Sequence, residues 1–399
     1  MTSSSRAGWP LPVLMAFTLL SVVPADADAL PVFARRYKVS CSLCHNPIPR
    51  LTPFGDQFAA NGFRMSPGEA PQDTTATGDP LLSLMKEFPL AVRLDAYAQV
   101  YANGSAATDF QTPYALKILS SGPLSDDISY YFYAFLSERG EVGGIEDAFL
   151  YVNDIGGQPV DLAVGQFQVS DPLFKRELRL EFEDYAVYRA RLGDVPTDLT
   201  YDRGIMAMVD LAGFSLTGEL VNGNGKGAAQ DNRRFDVDAN KNVFLRISRD
   251  LPGGFRLGAF GLYGRSQGNN LHNSTNMYGF DGSFTTGPLE VNAQFVHRKD
   301  DRPTFTAGEP TVRMDGGFAE VIVQPQGSRF YGFGLYNLVS ADRPLLDVRL
   351  GGPADVRRYE SISAGVGHLI RRNLRVTAEG TWNLEEENTR WTLGFVSAF

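Results

Sequence analysis

The chain of 399 residues has two cysteines, and they stand in one short stretch, Cys41-Ser42-Leu43-Cys44-His45. This is the C-x-x-C-H pattern of covalent haem c attachment. Each thiol adds across one vinyl group of the tetrapyrrole, and the spacing sets the two sulfurs at the two vinyl positions. The imidazole of the next residue, His45, is then in reach of the iron as proximal ligand. Three other chemistries use such cysteines. A redox disulfide wants a thioredoxin-like βαβ context, which the surrounding sequence lacks. A zinc half-site wants a second cysteine pair, and the other histidines (His272, His297, His368) lie far off in sequence. A plain disulfide would close only a tiny loop. The cofactor expected is one covalent haem c.

The residues around the motif form a small segment, 30–65. Asn46-Pro47-Ile48-Pro49 predicts turns. Phe54 to Phe63 reads as a short helix closed by Asn61-Gly62. Phe54 and Phe58 stand one turn apart and would cover a haem edge or build a small local core. Below about 40 residues a unit lacks the buried surface to stand alone, so this one must lean on something larger. Residues 66–88 form a linker. Ser66 to Pro80 has almost no large apolar side chain, and Leu81 to Phe88 reads as a short helical turn.

The N-terminus, 1–29, reads as a secretory signal peptide. Arg6 supplies positive charge, Leu11 to Val23 is an apolar run too short to span a membrane as a helix, and Ala27-Asp28-Ala29 fits the cleavage rule. Export agrees with a haem c motif, because that haem is attached outside the cytoplasm.

From Pro89 onward the hydrophobic period is two. Leu94, Ala96, Ala98 and Val100 alternate with Arg93, Asp95, Tyr97 and Gln99. Leu374, Val376 and Ala378 alternate with Arg375, Thr377 and Glu379. Such strands of about ten residues, recurring to the end of the chain with aromatic residues near their ends, predict an all-β fold, a transmembrane antiparallel β-barrel over 89–399. Seventeen segments alternate: 89–101, 112–120, 127–137, 145–153, 160–169, 178–190, 198–210, 213–222, 242–250, 254–265, 275–286, 288–298, 311–324, 328–339, 356–370, 372–384 and 389–399. The weakest is 178–190, so the expectation is about 16 strands, with a lumen wide enough to admit the haem segment in or at the barrel. Aromatic content of 12% and 41 glycines fit this class. A net charge of −9 argues against nucleic acid as partner. The bacterial outer membrane, with its lipid as a partner, is the expected location.

Charges gather between strands, at Lys175, Arg176, Glu177, Arg179, Glu181, Glu183 and Asp184. Asp236-x-Asp238-x-Asn240 has the start of a calcium loop, but Lys241 and Ile247 stand where such a loop wants Gly and Glu, so a solvated extracellular loop is expected.

The parts together resemble a known family. One C-x-x-C-H, then Leu51-Thr52-Pro53-Phe54-Gly55, then Asn61-Gly62-Phe63, then a barrel, is similar to the fused outer-membrane monohaem cytochrome c–porins of the iron-oxidising type. The specific part of the likeness runs from Phe33-Ala34-Arg35 to Phe63. The barrel half also resembles phosphate-selective-type porins at Thr200-Tyr201-Asp202-Arg203-Gly204 and at Val221-Asn222-Gly223-Asn224-Gly225. The chain departs from the family at Asp56 and Ala59, where basic residues are common. The resemblance implies a one-electron oxidoreductase of the iron-oxidase type. Extracellular Fe(II), or another electron donor, would give electrons, and a periplasmic cytochrome or other soluble carrier would take them. Cys41 and Cys44 would be the anchors and His45 the proximal ligand. For the distal position Met65 is the nearest methionine after the motif. Met85, the barrel histidines and a five-coordinate iron are the alternatives. A solute-permeable porin with a haem-containing plug, or a conduit for a different donor or acceptor, fits the same pattern.

Overall fold

A computed structural model describes residues 32–69, 71, 74–79, 81, 82, 84–86, 88–102, 108–348 and 351–399. The segment read as a signal peptide lies outside the described residues. From Leu90 onward the chain forms sixteen long antiparallel strands, from β1 (Leu90–Tyr101) and β2 (Thr108–Pro123) to β15 (Leu374–Asn383) and β16 (Asn388–Ala398). A two-residue extension, Glu141–Val142, belongs to the third hairpin. β16 pairs with β1, from Ala398 opposite Arg93 to Arg390 opposite Tyr101, so the sheet closes and has no free edge. Phe399 continues the seam: its amide donates to the Val92 carbonyl (2.8 Å) and its carbonyl accepts from the Val92 amide (2.6 Å).

The alternation is the one the sequence predicts. Asp95 and Gln99 point inward and are buried, and so are Arg375, Thr377, Glu379 and Thr381. Outside, Leu245, Leu257, Phe280, Val366, Trp391 and Leu393 form an exposed apolar belt, a surface that lipid rather than water can cover. The chain is a barrel of the bacterial outer membrane. Its two ends differ. At the end where β1 begins the connections are tight, at 212–213, 252–254, 287–288 and 372–373. At the other end four are long, at 169–200, 222–241, 301–311 and 342–357, beside short turns at 269–270 and 384–387. Short turns face the periplasm in such barrels and long loops face outward.

The count of sixteen agrees with the sequence expectation, and 178–190, the weakest of the seventeen segments, is the one that is no barrel strand. Residues 169–200 leave the wall at Gln168 and fold into the lumen, with a short helix α3 at Ala186–Arg189. Their backbone groups are met by wall side chains instead of a ladder. The Glu379 carboxylate accepts from the amides of Phe182 (2.6 Å) and Glu183 (3.3 Å). Asn337 accepts from the Ala186 amide (3.2 Å) and donates to the Asp184 carbonyl (2.9 Å). Backbone groups so satisfied need no neighbouring strand. Tyr185, Val187, Tyr188 and Leu192 pack on inward-facing Phe244, Phe260, Leu262, Met314, Phe318 and Val339, so much of the lumen is an apolar core rather than water. Ala190–Leu192 also pairs with Leu346–Val348 from another long loop.

The segment before β1 sits inside the periplasmic end of the barrel. It has two helices, Val32–Tyr37 and Pro53–Ala60, which we number ahead of α3 as α1 and α2. The helical turn expected within 81–88 is absent among the described residues, where Met85 instead makes an isolated bridge to Thr74.

Candidate functional site

Ser40 caps a single 3-10 turn, Cys41–Leu43, by accepting the Ser42 amide at 3.3 Å. The His45 amide then donates to the Cys41 carbonyl (2.9 Å), which folds the five-residue motif into one compact turn. Both thiols are free and half-buried, and burial pushes both thiols up from their ordinary range. His45 pairs with Leu51, and its Nδ1 lies 2.9 Å from the Pro49 carbonyl. A carbonyl can only accept, so Nδ1 carries the proton and Nε2 keeps its lone pair. Burial lowers the His45 pKa, which favours the neutral ring that binds metal.

The residues after the motif hold it in place. The Thr52 amide donates to the Cys44 carbonyl (2.9 Å), and its hydroxyl donates to the Leu43 carbonyl (2.7 Å). That hydroxyl oxygen also accepts the Gly55 amide (3.1 Å), as N-cap of α2, with Pro53 in the first turn. Gly55 is required: a Cβ there would stand 2.3 Å from the Cys44 carbonyl oxygen. Gly62 has φ +62° and is closed in by Asn153 and Ser129 of the wall. Phe63 then stacks on Phe33 (5.5 Å) and on Tyr131 of the barrel (4.7 Å). Such pairs contribute about 0.5–1.5 kcal/mol beyond area.

Two buried arginines lock the segment to the wall. Arg64 donates to the Asp126 carbonyl (2.5 Å) and lies 3.3 Å from Asp154, both in periplasmic turns. Arg50 pairs with Glu290 and lies 3.6 Å from Glu320. Glu320 also accepts the Tyr185 hydroxyl (2.7 Å) and the Asn292 amide (2.7 Å), so one carboxylate joins segment, wall and inward loop.

Between segment and wall lies a cavity of about 300 Å³, within the range of small-molecule sites. Cys41, Cys44 and His45 line one side. Val32, Phe33, Ile48, Leu51, Phe58 and Phe63 surround them, with Ile118, Leu119, Phe149, Leu374 and Val396 from the barrel. Its charged lining is Arg93, Lys117, Lys175, Arg372 and Arg375 with Asp147, Asp171 and Glu177. Two thiols and one neutral imidazole on a single turn, facing an apolar cavity with cations in its wall, fit a covalently attached haem.

The structure brings three of the four expected site residues together and separates the fourth. Met65 is 36% exposed, outside the lining, and its amide donates to Glu69 (2.6 Å). Met85, His272, His297 and His368 are also absent from the lining, and among the described lining residues there is no methionine and no second histidine. Of the two phenylalanines of α2, Phe58 faces the cavity while Phe54 is exposed.

A second cavity, about 630 Å³, opens above the first on the extracellular side. It is lined by Glu183, Asp184, Arg189, Arg191 and Arg390, with Tyr97, Tyr114 and Phe182. Asp184 sits among Arg176, Arg179 (3.7 Å) and Arg189 (3.5 Å). Burial opposes its charge, and the three guanidinium groups outweigh burial and hold its carboxyl well below the usual range. The two cavities share Arg93, Lys117, Glu177 and Arg375. In that common wall Lys117 binds Glu177 (2.9 Å), the Tyr133 hydroxyl donates to Glu177 (3.1 Å), and Asp95 holds Arg93 through two bonds (2.7 and 2.9 Å). Arg93 and Arg375 alternate onto the polar, inward faces in the sequence, but nothing local ties them to the cysteine motif. Their inward parity was the available signal.

Asp236, Asp238 and Asn240 form local turns, with the Asp238 amide on Asp236 (3.2 Å) and the Asn240 amide on Asp238 (2.7 Å). Lys241 pairs with Asp236, which agrees with a solvated loop. No cluster of three or more His, Cys, Asp or Glu side chains among the described residues could hold a metal ion.

No family model matches the chain, and no curated protein matches it. Its fold is similar to solved outer-membrane barrels. An anion-selective porin from Comamonas acidovorans is 10% identical, with a TM-score of 0.56 over 78% of this chain and 98% of that one. The outer membrane channel DcaP of Acinetobacter baumannii is 12% identical, with a TM-score of 0.54 over 78% of this chain and 96% of that one. OmpT of Vibrio cholerae is 10% identical, with a TM-score of 0.53 over 78% and 97%. The architecture that this chain shares with all three is the porin-type barrel.

Proposed function

We propose that this chain is an outer-membrane electron-transfer protein of the fused cytochrome–porin type, with one covalent haem c on Cys41 and Cys44 and His45 as proximal ligand. It takes electrons from an extracellular donor, Fe(II) foremost, and delivers them to a periplasmic cytochrome or other soluble carrier. The observation that carries the reading is the single turn that points two thiols and a neutral imidazole into an apolar cavity inside a membrane barrel. When bound there, haem supplies a one-electron iron centre. The chain's own residues do the rest. The Pro49 carbonyl orients His45, the apolar lining excludes water, and Gly55 lets α2 close on the motif.

Position supports the same reading. A hydrocarbon core of about 30 Å separates the two aqueous sides, and a group at the membrane surface could not serve both. The cavity reaches from the periplasmic turns into the barrel, and the polar chamber above it leads outward. Outer-sphere transfer needs no donor-binding cage.

A second reading, a solute-permeable porin whose haem segment is a plug, is favoured by the polar upper chamber and the porin-type fold. Two measurements on protein reconstituted in vesicles separate them. Anaerobic Fe(II) added outside should give the reduced c-type spectrum, with dithionite as end point, and planar-bilayer conductance should be low. Full dithionite reduction with none by Fe(II), together with high conductance, would favour the plugged porin.

A further inference from the structure

We propose that Arg375, with Lys117 three strands along the same wall, anchors the propionate carboxylates of the tetrapyrrole whose vinyl edge is fixed at Cys41 and Cys44. The proposal rests on the haem reading above and names the groups that hold the other edge.

The cysteines fix one edge of the macrocycle, and its two carboxylates lie away from the vinyl groups. A cavity that fits must therefore offer cations at a second place. Arg375, Arg93 and Lys117 stand on β15, β1 and β2, at nearly one level. Arg375 is opposite Val396 of β16, Val396 is opposite Asp95 of β1, and Arg93 is opposite Lys117. All three side chains line the cavity.

Their pairing differs. Asp95 takes Arg93 through two bonds, and Glu177 takes Lys117 at 2.9 Å. Arg375 has no carboxylate in ion-pair reach among the described residues. Its Nη1 donates to the Tyr331 hydroxyl at 3.2 Å, and its Nε, sealed from solvent, has no partner among them. The residue is 4% exposed. A buried guanidinium N–H without an acceptor is costly. Guanidinium is also the side chain that best matches a carboxylate, through two parallel bonds. An arginine aimed into an apolar cavity with its fork incompletely used is an anion site, and the anion this cavity calls for is a carboxylate of the bound group. Lys117, one strand beyond Arg93, is a shared donor on the same wall.

The test is a spectroelectrochemical titration of the full-length protein and four variants, after haem staining of each denatured chain. The wild type must carry covalent haem. If it carries none, the haem reading itself fails. Given haem, Arg375→Gln leaves a propionate charge uncompensated, which favours the oxidised state. At a fixed potential the ratio of reduced to oxidised haem should fall at least tenfold, a downward midpoint shift of about 59 mV for one electron. Arg375→Lys should restore most of the shift. Tyr331→Phe, which removes the hydroxyl that Arg375 donates to, should leave the midpoint in place; a purely structural arginine would make Tyr331→Phe and Arg375→Gln behave alike. Lys117→Gln should shift the midpoint in the same direction by less, and it decides the matter if Arg375→Gln does not accumulate. Covalent haem with an unmoved midpoint in Arg375→Gln, or in Lys117→Gln when that variant decides, overturns the proposal and leaves the haem reading standing.

Discussion

The barrel holds two chambers that share one wall, and they are built by opposite rules. The lower one gathers apolar side chains around two thiols and an imidazole. The upper one gathers arginines and carboxylates that satisfy one another, with Asp184 inside three guanidinium groups. An apolar chamber suits a redox centre and favours a neutral imidazole. A charged, polar-lined chamber suits solvent and ions entering from outside. On the proposed function the difference divides the work: the segment that enters from the periplasmic end would hold the redox centre, and the loop that enters from the extracellular end would shape access to it.

The comparison can be broken from either side. The largest effect should come from the lower chamber. Replacing Cys41 and Cys44 with serine should abolish covalent haem, read by staining of the denatured chain, while β-sheet circular dichroism of the barrel is kept. Gly55→Ala should act nearly as strongly, since its Cβ would collide with the Cys44 carbonyl. Overpacking of this kind costs about 1–3 kcal/mol, and haem yield should drop several-fold.

In the upper chamber, Asp184→Ala leaves three arginines without their shared counter-charge. Breaking a buried pair costs about 3–5 kcal/mol, so loop 169–200 should become sensitive to protease and conductance should rise, with haem content unchanged. An unchanged loop would mean that the apolar packing of Tyr185 and Tyr188 holds it alone.

A smaller effect follows pH. Asp171 lies in the lower lining, where burial, with Glu177 adding to it and Lys175 opposing, pushes its carboxyl up to about 6. The unfolded carboxyl titrates near about 3.9, so between these values the folded state holds the extra proton. Stability then falls as pH rises through that window, and the cost is complete above it. Asp171→Asn should therefore stabilise the folded protein by about 1 to 3 kcal/mol at pH 7 to 8, with most of the gain gone near pH 4, as melting followed at several pH values would show. The smallest effect expected is that of Met65→Ala, which should leave the haem spectrum and midpoint unmoved, because Met65 lies outside the cavity. A shifted midpoint would bring Met65 back as a ligand.

These two chambers were unequally legible in the sequence. The barrel was readable because period two survives in any strand with one face in lipid, and each of the other sixteen predicted segments overlaps one long strand. The cysteine motif was readable because its chemistry is local. Segment 178–190 is the weakest of the seventeen because its period two is short, with Leu180 and Phe182 two apart but Val187 on the other parity, and its backbone is held by Glu379 and Asn337 from distant strands. The apolar lumen left a trace, since Phe244 sits between Val243 and Leu245 and makes that strand apolar on both faces. Such a strand must be covered inside as well as outside. The separation of Met65 from His45 had no local signal, because the turn at Gly62 and the Arg64 locks decide it.

The measurement that tests the central claim most directly is the visible spectrum of the purified, unfolded chain in alkaline pyridine, compared with that of the Cys41 and Cys44 double serine variant. The expected result is one c-type haem per chain, retained through denaturation and acid-acetone extraction, and none in the variant. A wild-type chain without covalent haem after expression with a maturation system would contradict it, and the lower chamber would then be the core of a plug.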